Sequence, residues 1–224
     1  MRRRDADAKV ATSMPHRVFL LSPASCAGKR CQQLLAPGAG FELASRVRRD
    51  GAALGEVFSF LSSLYFRGKL TYAQRFAAPS EGCPGVLVIT AGRGLVAPET
   101  SVRLRDLRAF ARVPIDAGER RYADPLRDAA RSLRARLPRG SEIVLLGSIA
   151  TPKYVDVLKD AFEHALHFPP DFVGRGDMSR GGLLLRAART GVELDYRPVD
   201  GATRRGPRAT RLVAMHAAKL PASR

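Results

Sequence analysis

Apolar residues in this chain fall into short continuous runs separated by stretches of helical spacing. The clearest runs are Val18 to Leu21, Val86 to Ile89 and Ile143 to Leu146, within expected strands Arg17–Ser22, Gly85–Thr90 and one opening at Glu142. Each run is too short for a helix and apolar at every position, the pattern of strands buried on both faces of a parallel sheet. Between the first two, Leu54, Val57, Phe58, Leu61 and Leu64 share one helical face, and Leu70, Ala73 and Phe76 continue it. Gly68 is where this stretch is expected to bend or divide into two helices. Leu104, Leu107 and Phe110 predict a short helix. Another is expected from Asp124-Pro125, with Leu126, Ala130, Leu133 and Leu137 inward and Arg127, Arg131 and Arg134 outward.

The third run organises the rest. Gly147 and Ser148 end it, Thr151 is placed to cap a helix, and Pro152 suits the first helical position, where an N–H is not needed. Val155, Leu158 and Phe162 carry the helix on. Ala165 to Pro169 reads as a short strand, Leu184, Leu185 and Ala188 as the core of a last helix, and Val192 to Val199 as an alternating edge strand. Strands alternating with helices predict a single α/β domain over 16–200, with a central, mostly parallel sheet and helices on both faces. In such sheets ligands bind at the carboxyl ends of strands. The turns at Ser22–Lys29, Gly92–Gly94, Gly147–Lys153 and Gly174–Gly182 are therefore expected to build one cleft.

Several side chains in those turns suit anion or base recognition. Ser22, Ser25 and Lys29 lie where a strand end meets a helix start, a layout suited to an anion, although the glycine spacing of a Walker loop is missing and an ordinary strand-to-helix turn reads equally well. Arg93, Ser148 and Lys153 occupy the two middle turns. Arg175 and Arg180 bring forked donors to a run of four glycines that also holds Asp177, a candidate base or ribose acceptor or acid–base residue. A flexible surface loop with Ser179 as a cap is the alternative for that run. Cys26 at a helix start is either a nucleophile with a lowered pKa or a buried structural thiol. Tyr65 and Tyr154 are candidates to stack on a base. Tyr65, Arg67, Lys69 and Tyr72 form either a basic–aromatic patch or a core edged by solvated charges.

Charge narrows the partner. The chain of 224 residues carries 38 Lys and Arg against 21 Asp and Glu, a formal net charge of +17, which attracts polyanions. A nucleic acid or nucleotide is the expected partner. Met1 to Pro15 reads as a disordered basic tail, and Gly201 to Arg224 as a basic, partly disordered tail suited to touching nucleic acid. No apolar run approaches the roughly 18 residues of a membrane span, so no membrane association is expected. Val18 to Leu21 is too short for a signal-peptide core. Three cysteines cannot all pair within the chain, which suits free thiols in a reducing cytoplasm. His164 and His167 lack companions at metal-ligand spacing, so neither metal nor cofactor is expected.

Taken in order, several motifs resemble a known family. They are Ser22-Pro-Ala-Ser-Cys-x-Gly-Lys at a strand end, Leu64-Tyr-Phe-x-Gly-Lys, and Val86-Leu-Val-Ile-Thr-Ala-Gly-x-Gly-Leu-Val-x-Pro. A helix start at Lys153-Tyr154 and a glycine-rich segment before a final helix complete the set. The chain resembles, over roughly Arg17 to Arg189, an uncharacterised bacterial and phage domain family. That family is similar to the peroxide-stress protein YaaA and to the uracil-DNA-glycosylase-like domain of archaeosine tRNA-guanine transglycosylases. The resemblance implies a three-layer α/β fold and a link to nucleobase or nucleic-acid biology. Uracil-DNA glycosylases place an Asp after the first strand, whereas this chain has Ser-Pro-Ala-Ser-Cys there, so their base-excision route is not implied. The expectation is a nucleotide- or nucleobase-binding protein of nucleic-acid metabolism, acting on a base or a nucleic acid if it is an enzyme. The alternative is a non-enzymatic DNA- or RNA-binding module that uses the basic surface and tails.

Overall fold

The computed structural model describes residues 16–209; the expected tail at 1–15, and the part of the other from 210 on, lie outside the described residues. A six-stranded sheet forms the middle layer. Its centre is parallel: β1 (Arg17–Leu21) pairs with β3 (Val86–Thr90) on one side and β6 (Glu142–Leu146) on the other, and β6 pairs with β7 (Leu166–Phe168). Antiparallel strands close both edges, β4 (Gly94–Val96) beside β3 and β8 (Arg197–Pro198) beside β7. A two-stranded ribbon, β2 (Ala52–Ala53) with β5 (Ser101–Val102), lies apart from the sheet.

Alternation along the strands divides the core in two. Phe19, Leu21, Val88, Val144 and Leu146 face one layer, and Val18, Leu20, Leu87, Ile89, Ile143 and Leu145 face the other. The first layer holds α1 (Lys29–Leu35), α2 (Glu42–Arg49), α3 (Leu54–Ser62), α4 (Leu64–Phe76), α5 (Leu104–Ala111) and α8 (Asp177–Thr190). The second holds α6 (Arg120–Arg136) and α7 (Pro152–Phe162). This is the expected α/β sandwich with a mostly parallel central sheet. The chain leaves β1 toward β3, then returns past it to β6. The carboxyl end of β1 is therefore the place where strand order reverses, and a crevice opens there between flanking connections.

Some local expectations are corrected. The helical hairpin breaks at Ser63, whose φ is +47°, not at Gly68. Gly68 lies inside α4 because α8 crosses there: a Cβ at Gly68 would sit 2.7 Å from the Gly181 carbonyl oxygen, and one at Gly181 would sit 2.8 Å from that of Leu64. Helix α6 starts at Arg120, ahead of Asp124-Pro125, with the Glu119 carboxylate accepting from the Arg121 N–H. Thr151 makes no side-chain cap, though Pro152 does open α7. Helix α8 begins on Gly176, so Ser179 is not its cap; Ser179 Oγ accepts from Arg175 instead. The alternating segment 192–199 pairs only at Arg197–Pro198. Tyr196 turns inward, its hydroxyl bonded to Tyr72 and Glu193 and its ring under the Arg17 guanidinium, while Arg17 also pairs with Glu142 and Glu193. Residues 201–209, read as the start of a tail, lie against the body: Ala209 N–H donates to the Gly174 carbonyl and Arg204 pairs with Asp156.

The close crossing of α4 and α8 makes a direct prediction. Gly68→Ala, which forces a methyl group into backbone, should destabilise the protein by about 1–3 kcal/mol and lower Tm by roughly 2–12 °C. A thermal melt showing no loss would mean that the helices cross further apart than described.

Candidate functional site

A cleft of about 580 Å³ opens at the carboxyl ends of β1, β3 and β6. The β1–α1 turn contributes Ser22 to Ala27, the residue after β3 contributes Ala91, and the β6–α7 turn contributes Ser148, Lys153 and Tyr154. Phe58, Leu61 and Tyr65 from α3 and α4 wall one side, Phe110 to Ile115 another, and Asp177 at the start of α8 forms part of the rim. The volume falls within the range of small-molecule sites, ~300–1,000 Å³.

The floor is built on Lys69. It projects from α4 beneath Ser22 and is 1% exposed. Its Nζ donates to the Ser22 carbonyl oxygen at 2.5 Å and to Ser22 Oγ at 2.8 Å, and it lies over the rings of Tyr65 and Phe66, 4.3 and 5.0 Å from their centroids. Among the described residues no carboxylate pairs with it. Removing an unpaired ammonium from water disfavours the charged form. Burial lowers the Lys69 pKa to about 7; Asp177 opposes that shift, and the Arg180 and Lys153 charges reinforce it. Lys69 is thus poised between amine and ammonium near neutral pH.

Two tyrosines share this polar centre. Tyr65 is buried, and among the described residues its hydroxyl completes no hydrogen bond of good geometry, with Ser22 and Arg180 as its polar neighbours. Burial pushes its pKa up to about 12, so it remains a protonated donor. Burial raises Tyr154 as well, and the Tyr65 and Asp177 groups add to that shift. Lys153 Nζ lies 5.0 Å from the Tyr154 ring centroid, and the Lys153 carbonyl accepts from the Tyr122 hydroxyl at 2.8 Å. Gly147 keeps the floor open, since a Cβ there would lie 3.0 Å from Ser22 Cβ.

Of the residues singled out from sequence, Ser22, Ser25, Cys26, Tyr65, Ser148, Lys153, Tyr154 and Asp177 come together on this cleft. Four do not. Lys29 is exposed beyond the β1–α1 turn. Arg93 pairs with Asp106 and lies over Phe110, and it does not line the cleft. Arg175 and Arg180 belong to a second hollow of about 400 Å³, with Arg204 and Arg205. Arg180 is buried and spends its Nε and one terminal nitrogen on the Phe172 carbonyl. Cys26 is buried beside Cys31, and that thiol together with burial raises its pKa, an environment that disfavours a nucleophilic thiolate. Tyr72 and Lys69 are core, leaving Arg67 as the exposed member of the expected basic–aromatic patch. His167 Nδ1 lies 2.9 Å from the Ala165 carbonyl oxygen, and His164 is exposed beside Asp200.

Lys69 is the residue that sequence reasoning misplaced. Its signal was present: Tyr65, Phe66, Tyr72 and Ala73 are its neighbours at helical spacings of three and four, and all are buried. A lysine centred on an apolar helical face belongs inside. In comparisons with known proteins the chain matches no family model, no curated protein and no solved structure.

The lowered Lys69 pKa has a sign that can be measured. Between about 7 and the unfolded lysine value of 10.5 the unfolded chain binds the extra proton, so stability should rise with pH. Wild-type Tm should climb from pH 7 to 9 more steeply than that of Lys69→Met, and equal slopes would show that Lys69 carries an ordinary pKa.

Proposed function

We propose that the protein binds a nucleotide or nucleobase in the cleft above Ser22 and acts in nucleic-acid metabolism within a reducing cytoplasm. The observation that carries this reading is the cleft itself. It has the size of a nucleotide site, lies where strand order reverses, and sets two tyrosines beside the hydroxyls of Ser22, Ser25 and Ser148 and the ammonium of Lys153. The tyrosine walls suit a planar base. The serine hydroxyls and Lys153 suit sugar and phosphate oxygens, and the net charge of +17 draws an anionic ligand toward them. The ordered motifs at Ser22, Leu64 and Val86, which resemble a family linked to nucleobase biology, are in keeping with the same reading.

A second reading rests on a separate observation. Arg175, Arg204 and Arg205 surround the second hollow, beside α8, and three guanidiniums in one concavity suit the phosphate backbone of DNA or RNA. In that case the protein is a binding module and the cleft is not its working site.

Salt separates the two. A thermal-shift panel of nucleobases, nucleosides, nucleotides and short DNA and RNA oligomers should give at least one small molecule whose shift survives high salt. At 100 times its Kd such a ligand adds about 2.7 kcal/mol. Lys153→Ala should weaken it about tenfold or more, as loss of a charge-assisted contact does. Shifts confined to oligomers and abolished by salt would overturn the nucleotide reading in favour of the binding module.

A further inference from the structure

We propose that Ser22 is a nucleophile, that Lys69 is its general base, and that the cleft carries out acyl transfer on a carboxylic ester or amide. This goes beyond ligand binding and does not depend on the ligand being a nucleotide. Three geometric observations support it. Ser22 lines the cleft, and its Oγ lies 2.8 Å from Lys69 Nζ, within reach for direct proton transfer. The second contact of Lys69, to the Ser22 carbonyl, fixes the amine: one N–H goes to that oxygen, leaving the lone pair to take the hydroxyl proton. Tyr65, also on the cleft, holds a buried hydroxyl beside Ser22 and Arg180 that completes no geometrically satisfactory hydrogen bond among the described residues, a donor within reach of an oxyanion formed at Ser22.

A purely structural role explains less. Capping one carbonyl at the end of β1 does not call for a lysine buried without a counter-charge, because an apolar side chain of similar length fills such a site at lower cost. A base near neutrality is what burial makes of this lysine: among the described residues Asp177 is the acidic group that acts on it, and Arg180 and Lys153 add positive charge around it. Poised there, Lys69 accepts a proton at physiological pH and can return it.

The step balances. Ser22 Oγ attacks the carbonyl carbon, its proton passes to Lys69 Nζ, and the Tyr65 hydroxyl donates to the oxygen that becomes negative. The tetrahedral species collapses, the bond to the alkoxide or amine breaks, and Lys69 protonates that leaving group. A water then attacks the acyl-serine, giving its proton to Lys69, which passes it back to Ser22 Oγ as the carboxylic acid leaves.

A fluorophosphonate probe tests the pair without knowledge of the substrate. Attack by Ser22 Oγ forms an oxygen–phosphorus bond, expels fluoride and leaves the proton on Lys69. Intact-mass measurement and peptide mapping should find one label, on Ser22. The labelling rate should rise with pH through an inflection near 7 and then level off, following the amine form. Ser22→Ala should take no label, and Lys69→Met should label at least about 100-fold more slowly. Label on another residue, no label on the wild type, or an unchanged rate in Lys69→Met would overturn the proposal. Should Lys69→Met fail to fold, the wild-type profile decides: labelling without an inflection near 7 excludes Lys69 as the base.

Discussion

A lysine buried without a counter-charge is the constraint on which this site depends. The ammonium form of Lys69 is costly inside the core, and its two partners, the carbonyl and the hydroxyl of Ser22, are neutral. That arrangement ties the middle of α4 to the carboxyl end of the central strand, and it fixes the side chain of the residue that forms the floor of the cleft. The rings of Tyr65 and Phe66 complete the enclosure. Each of these contacts requires α4 to lie at one depth and one rotation over the sheet.

Two glycines provide that placement. Gly68, the residue before Lys69, meets Gly181 of α8 at backbone contact, so the two helices cross closer than side chains would allow. The same crossing brings Asp177, at the start of α8, to the edge of the cleft, and the charges of Asp177 and Arg180 both act on the lysine. On the other side of the sheet α6 uses the same device, since a Cβ at Gly94 of β4 would run into the Pro125 carbonyl of α6, and α6 and α7 hold the β6 turn in place. Tyr122 of α6 does this by donating to the Lys153 carbonyl. The parallel topology positions the rest, since the reversal of strand order at β1 leaves a crevice that the turns after β1, β3 and β6 surround.

The three central strands β1, β3 and β6 were legible in the sequence because each holds four consecutive apolar residues, whereas the short strands β2, β4 and β5 left no such run. Six of the site residues, Ser22, Ser25, Cys26, Ser148, Lys153 and Tyr154, were legible for a related reason: the segments that follow the central strands meet at one edge of the sheet. What escaped the sequence was tertiary. Helix α2 is short and rich in arginine, and only Ala44 and Val47 are buried, so it left almost no apolar period. The break at Ser63 has no local signature, because a positive φ at serine is sustained by packing. The alternation of 192–199 was misleading, since Tyr196 points inward for a hydrogen bond to Tyr72 and not as part of a pleat. Arg93 and Lys29 sat in the right turns but point away, because orientation within a turn is not set by its position in the chain.

The central claim is that Lys69 is half neutral at physiological pH, and the most direct measurement is its own titration. The chain has six lysines, so the Cε resonances of protein carrying 13C-labelled lysine can be assigned with the Lys69→Met variant as reference. One resonance should titrate with a midpoint of about 7 and be absent from the variant. All six titrating together above pH 10 would contradict it, leaving Lys69 a permanent cation and Ser22 without a base.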